Sequence, residues 1–108
     1  MADLDGDGSR VTVEESVDAA GAVVLKIAGE LDAANADSLR AQITPTVDRH
    51  PDRIVFDLEH LSFMDSSGIA VLLFCAANTG GVEIRNATAI IRRIIEATGV
   101  QDVLRLAP

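Results

Sequence analysis

Apolar and polar positions alternate imperfectly from Val11 to Val17, where Val11, Val13 and Val17 stand among Thr12, Glu14, Glu15 and Ser16, the pattern of a strand with one wetted face. Asp18–Gly21 has turn composition, and Ala22–Ala28 (AVVLKIA) is β-branched and mostly apolar. The two stretches therefore predict a hairpin whose second strand is the more buried and stops at Gly29. Asn35, Asp37 or Ser38 can cap a helix with the inward stripe Leu39, Ile43 and Val47, which Pro45 should kink or restart because it lacks an amide donor. Arg53–Leu58 (RIVFDL) predicts a second apolar strand that ends at the polar Glu59 and His60. In Leu61–Ala77 (LSFMDSSGIAVLLFCAA), Asp65 and the two serines suit a helix start, and the block that follows is apolar on all faces, predicting a buried helix. Val82–Arg85 reads as a short strand. Thr88–Thr98 reads as a helix with Ile90, Ile91, Ile94 and Ile95 on one face, stopped at Gly99, and Val103–Leu106 as a last short strand or helical turn. The order β-β-α-β-α-β-α predicts an α/β single domain, a mixed β-sheet of about four to five strands packed with α-helices.

The chain has 108 residues, enough to bury a core without a disulfide or metal staple, and its one cysteine cannot form an internal disulfide. A formal charge of −8, with no basic cluster, argues against nucleic acid and anionic lipid surfaces as direct partners. No apolar run exceeds Ile69–Ala77, so no membrane span is expected and a cytoplasmic location is the default. The charge is uneven. Residues 1–18 hold six acids against Arg10, while the remainder carries 11 acids and 8 bases. Residues 1–10 read as a flexible acidic tail preceding a domain of residues 11–108.

That tail contains a complete textual match to a calcium loop: Asp3, Asp5, Asp7, Gly8 and Glu14 satisfy D-x-[DN]-x-[DN]-G-x5-E. Two residues cannot form the entering helix, Arg10 stands where such loops place an apolar residue, and Glu14 falls in a predicted strand, so no calcium site is expected. Enzyme constellations are incomplete. His50 and His60 lack the i, i+4 spacing of a helical metal pair, Cys75 lies inside an apolar helix, and Ser66 and Ser67 have neither a G-x-S-x-G elbow nor an S-x-x-K lysine. With no phosphate-cradling loop either, no catalytic residue, metal or cofactor is expected.

Asp65-Ser66-Ser67-Gly68 remains, at the start of the apolar helix. Its side chains can simply accept first-turn amides, while Gly68 permits close packing. The same position is electropositive and donor-rich, so a serine there could carry a phosphate without unfolding the domain.

The run Phe63-Met64-Asp65-Ser66-Ser67-Gly68, preceded by Ile54-Val55-Phe56-Asp57-Leu58, resembles the signature of the STAS domain in bacterial anti-sigma factor antagonists. Gly29-Glu30-Leu31-Asp32, Gly80-Gly81 and Arg92–Gly99 are similar to further blocks of that family, in the same order. The resemblance covers about Val11 to Leu106. It implies a STAS-like fold and a non-catalytic domain that binds an anti-sigma factor with serine kinase activity, freeing a sigma factor. Phosphorylation at Ser66 would switch the domain off, and a phosphoserine phosphatase would restore it. The implied partner-binding residues are Glu30, Asp32, Asp65, Ser66, Ser67 and Gly68. A non-catalytic STAS subunit regulating a transporter complex is the alternative that the same resemblance implies. Against the family pattern, the stretch from Gly68 to Gly80 is about one helical turn shorter, prolines near Ala87 and Ala89 are missing and Pro45 interrupts the first helix, differences that bear on partner choice.

Overall fold

A computed structural model of the chain describes residues 10–107, in which eight elements follow one another. They are β1 (Val11–Val17), β2 (Val23–Leu31), α1 (Ala36–Asp48), β3 (Ile54–Met64), α2 (Ser66–Ala77), β4 (Val82–Arg85), α3 (Ala89–Ala97) and β5 (Leu104–Leu106). The calcium-like acids Asp3, Asp5 and Asp7, and the acidic tail to which they belong, lie outside the described residues except for Arg10.

The five strands form one sheet in the order β1-β2-β3-β4-β5. β1 and β2 are the antiparallel hairpin, while β2, β3, β4 and β5 are mutually parallel and joined through α1, α2 and α3. In the hairpin turn, Asp18 Oδ1 accepts from the amides of Ala20 and Ala22, both at 2.9 Å. One sheet face, with Leu25, Ile27, Phe56, Ile84 and Leu104, joins Leu39, Ile43, Leu72, Ile91 and Ile95 of the helices in a continuous core. The other face places Glu14, Lys26, Asp57 and Arg85 in register across four strands. Arg85 there binds Glu83 at 2.8 Å and Asp18 at 3.4 Å, and Arg53 binds Glu83 at 3.4 Å. This division explains the alternation in β1. Its Val11 and Val13 pack against the core, with Thr12 and Glu14 on the polar face.

Three boundaries differ from the expectations. β3 does not end at Leu58 but runs through Glu59 and His60 to Met64, because β2 continues past Gly29 and supplies backbone partners as far as Leu31. Glu59 and His60 are exposed, so their polarity marks a wetted stretch of strand and not its end. β2 passes through Gly29 at φ +106°, where a side chain would collide with the carbonyl of Arg10 crossing it. α1 is continuous through Pro45: the proline is exposed, while Leu39, Ile43, Thr46 and Val47 hold the helix to the core.

Candidate functional site

The Asp65-Ser66-Ser67-Gly68 turn sits where β3 hands over to α2. Asp65 is the N-cap in extended conformation, and its Oδ1 accepts from the amide of Ser67 at 2.8 Å. Its carbonyl accepts from the amides of Gly68 at 3.0 Å and Ile69 at 3.2 Å. The capping expected of Asp65 is thus present. It leaves Ser66 as the first helical residue, exposed, with Ser67 half-buried behind it. Gly68 lies beneath this surface: a Cβ there would overlap the Met64 side chain and come within 2.9 Å of Leu31 Cδ2. Its contribution is to seat the helix tightly, which keeps Ser66 at a fixed height above the sheet.

Glu30 and Asp32 are brought to the same end by strand pairing. β2 and β3 are parallel, with Glu30 opposite Phe63 and Leu31 opposite Met64, and the amide of Asp65 donates to the carbonyl of Leu31 at 3.2 Å. Glu30 is exposed and Asp32 half-buried. Asp32 organises its own loop: its Oδ1 accepts from the amide of Ala34 at 2.9 Å, and its carbonyl accepts from those of Asn35 and Ala36. All six residues expected at the site therefore gather at one end of the sheet, five at the surface and Gly68 under it.

Asn35 is the organiser that the sequence alone does not reveal. It occupies the N-cap position of α1 without making a side-chain cap bond. Only 7% exposed, it donates from Nδ2 to the carbonyl of Glu30 at 2.8 Å and accepts at Oδ1 from the amide of Asp32 at 3.0 Å. One buried amide side chain thus satisfies backbone groups on both sides of Leu31.

Chemically, the turn offers an exposed primary hydroxyl at a helix N-terminus, where peptide dipoles favour added negative charge. α2 itself, Ser66–Ala77, contains no charged side chain. Cys75 is fully buried and its thiol is pushed up to about 12 by burial, which makes it core and not nucleophile. His60 is exposed and lies 4.0 Å from Glu59. Among the described residues, no group of three His, Cys, Asp or Glu could hold a metal ion, and no helix is long and apolar enough to cross a membrane.

Comparison with known proteins follows the same outline. The family model for the STAS domain matches residues 11–108. The chain is 32% identical over 105 residues to the anti-sigma-F factor antagonist RsfB of Mycobacterium tuberculosis, covering 93% of this chain and 82% of that protein. The crystal structure of an anti-sigma factor antagonist from Mycobacterium paratuberculosis superposes with a TM-score of 0.79 at 28% identity, over 93% of this chain and 87% of that one. The anti-sigma factor antagonist SpoIIAA in its unphosphorylated form superposes with a TM-score of 0.70 at 25% identity, over 90% and 89% of the two chains.

Proposed function

The chain belongs to the STAS domain family, and on that premise we propose that it is an anti-sigma factor antagonist switched by phosphorylation at Ser66. In its unmodified form it binds an anti-sigma factor and thereby releases a sigma factor. That anti-sigma factor is also the serine kinase that modifies it, and a phosphoserine phosphatase returns it to the binding form. The domain contributes no catalysis, acts in the cytoplasm and uses no cofactor. Glu30, Asp32, Asp65, Ser66 and Ser67 form the face that meets the partner, on the support of Gly68. The relatives named above are antagonists, which favours this reading over that of a transporter subunit.

The observation that carries the proposal is the position of Ser66: exposed, first in α2, immediately after its cap Asp65 and beside the Glu30–Asp32 loop. A phosphoserine adds about −1.5 to −2 units of charge. In a docked, partly desolvated face beside Asp65, that charge costs binding on the order of several kcal/mol unless the partner supplies arginines, and each 1.4 kcal/mol is about tenfold in affinity. In the free domain the same phosphate sits at a helix N-terminus, so the fold tolerates it.

The test is incubation with the cognate anti-sigma factor kinase and ATP, followed by fragment mass analysis and calorimetry. Modification at Ser66, its loss in Ser66→Ala, and weakened binding by the phosphorylated domain are expected, with melting temperature little changed. Modification confined to Ser67, or equal affinity before and after phosphorylation, overturns the proposal.

A further inference from the structure

The chain has three phenylalanines with three different fates. Phe56 is fully buried, Phe74 is half-buried with the Arg40 guanidinium 4.1 Å above its ring, and Phe63 is 43% exposed. Strand periodicity would not leave Phe63 outside. Leu61 points into the core, so strict alternation would turn Phe63 inward and Met64 outward. The structure does the opposite: Met64 is 1% exposed and Phe63 is out.

A bulge makes the difference. Gly29 pairs with Leu61 but Glu30 pairs with Phe63, so β3 carries one extra residue, Ser62, at this step. The Ser62 hydroxyl donates to the Gly29 carbonyl at 3.1 Å. Such bulges re-aim side chains at the ends of strands. Here the re-aimed side chain is an aromatic ring, placed three residues before Ser66 and directly across from Glu30.

Resting on the function proposed above, we infer that Phe63 is a docking anchor for the anti-sigma factor kinase, seated in an apolar pocket whose basic side chains face Glu30 across the strand pair and not Ser66. The occupant follows from the surroundings of the ring. Phe63 has Glu30 opposite it and Asp65 two residues on, so whatever covers it must accept an aromatic side chain and complement carboxylates. Exposed aromatic rings near the centre of an interface contribute disproportionately to affinity. Phe63 is thus a binding and specificity residue for the kinase, not a reacting group: its contacts hold the docked complex equally before and during phosphoryl transfer.

The experiment compares wild type, Phe63→Ala, Phe63→Leu and Val103→Ala. Val103 is a control: 52% exposed, it immediately precedes β5, whose first residue pairs with the first residue of β4 at the opposite end of the sheet. Affinity for the purified kinase is measured by calorimetry, phosphorylation by steady-state kinetics with the domain as substrate, and stability by thermal melting. Phe63→Ala is expected to weaken binding at least tenfold and to raise KM with little change in kcat. Phe63→Leu should fall between, and Val103→Ala should match wild type, with all melting temperatures close together. Affinity of Phe63→Ala within twofold of wild type overturns the inference, as does an affinity loss that only accompanies a large fall in melting temperature. Failure of the wild-type domain itself to bind or to be phosphorylated counts instead against the function proposed above.

Discussion

Leu31 and Asp65 share a backbone hydrogen bond of 3.2 Å, and through it the acidic loop after β2 and the serine turn after β3 are held in one frame. Neither residue presents the reactive group. Their bond fixes how Glu30 and Asp32 stand relative to Ser66, so the face proposed for docking is set by strand pairing within the free domain.

Asn35 is the second tie in that frame. Asn35→Ala removes its bonds to the Glu30 carbonyl and the Asp32 amide and leaves both backbone groups to find new partners. A loss of about 1–3 kcal/mol in urea unfolding is expected. Asn35→Asp keeps an acceptor for the Asp32 amide but sets a second acceptor oxygen against the Glu30 carbonyl in a buried site, and at neutral pH should destabilise at least as much as Asn35→Ala.

Gly68→Ala should destabilise the fold even though alanine favours helix. The new Cβ overlaps Met64 and crowds Leu31, an overpacking cost of about 1–3 kcal/mol against roughly 0.5–1 kcal/mol gained in helix propensity. Combined with Met64→Ala, the worse collision disappears and only the approach to Leu31 Cδ2 remains. The double variant should therefore be less destabilised than the sum of the single variants, a coupling that denaturant titration measures directly.

Glu15 clamps β1 to α1. Its Oε1 accepts from Thr46 Oγ1 at 2.6 Å and its Oε2 pairs with Arg49. The Thr46 hydrogen bond, opposed in part by desolvation and helped by Arg49, holds the carboxyl below the usual glutamate range. Asp18 is lowered likewise, first by the Ala22 amide. A carboxylate depressed in the folded state stabilises it above the unfolded pKa, and this contribution drains away as pH falls through the folded value. Stability should thus decline from about pH 5 downward. Glu15 is partly exposed, so the effect is modest. Glu15→Gln should flatten the acid side of a plot of urea midpoint against pH.

Cys75 should resist alkylation in the folded protein. Burial raises its thiol from 9.0 to about 12, lowering the thiolate fraction at pH 8 by about a thousandfold before access is considered. Labelling with a thiol reagent, followed by mass spectrometry, should be slow in buffer and rapid in denaturant.

The hairpin, the core strands and the Asp65-capped apolar helix are all legible in the sequence, because in each the hydrophobic period and the local propensity agree. The second half of β3 is not. Glu59, His60 and Ser62 interrupt the apolar pattern, and two register shifts against β2 break the period of two that would have exposed the strand. Pro45 misleads in the opposite direction: a helix breaker by local rule, it is overruled by the five buried residues that tie α1 to the core. Asn35 can be read only as a cap, since its real partners are backbone groups that β2 and its loop bring to it. Phe63 belongs to the recognisable signature, yet which way it points depends on a bulge, and no spacing rule announces that.

The hairpin turn at Asp18–Gly21 stands at the end of the sheet opposite Ser66, separated from it by the length of β2, whose nine residues span roughly 26 Å. Ala19 in that turn is exposed, and the chain's own thiol is sealed in the core. Ala19→Cys would therefore give a single addressable site for a fluorophore, far from the Ser66 end of the sheet. Its anisotropy would follow binding of the proposed partner in real time, so the sheet doubles as a built-in spacer between the label and the serine turn.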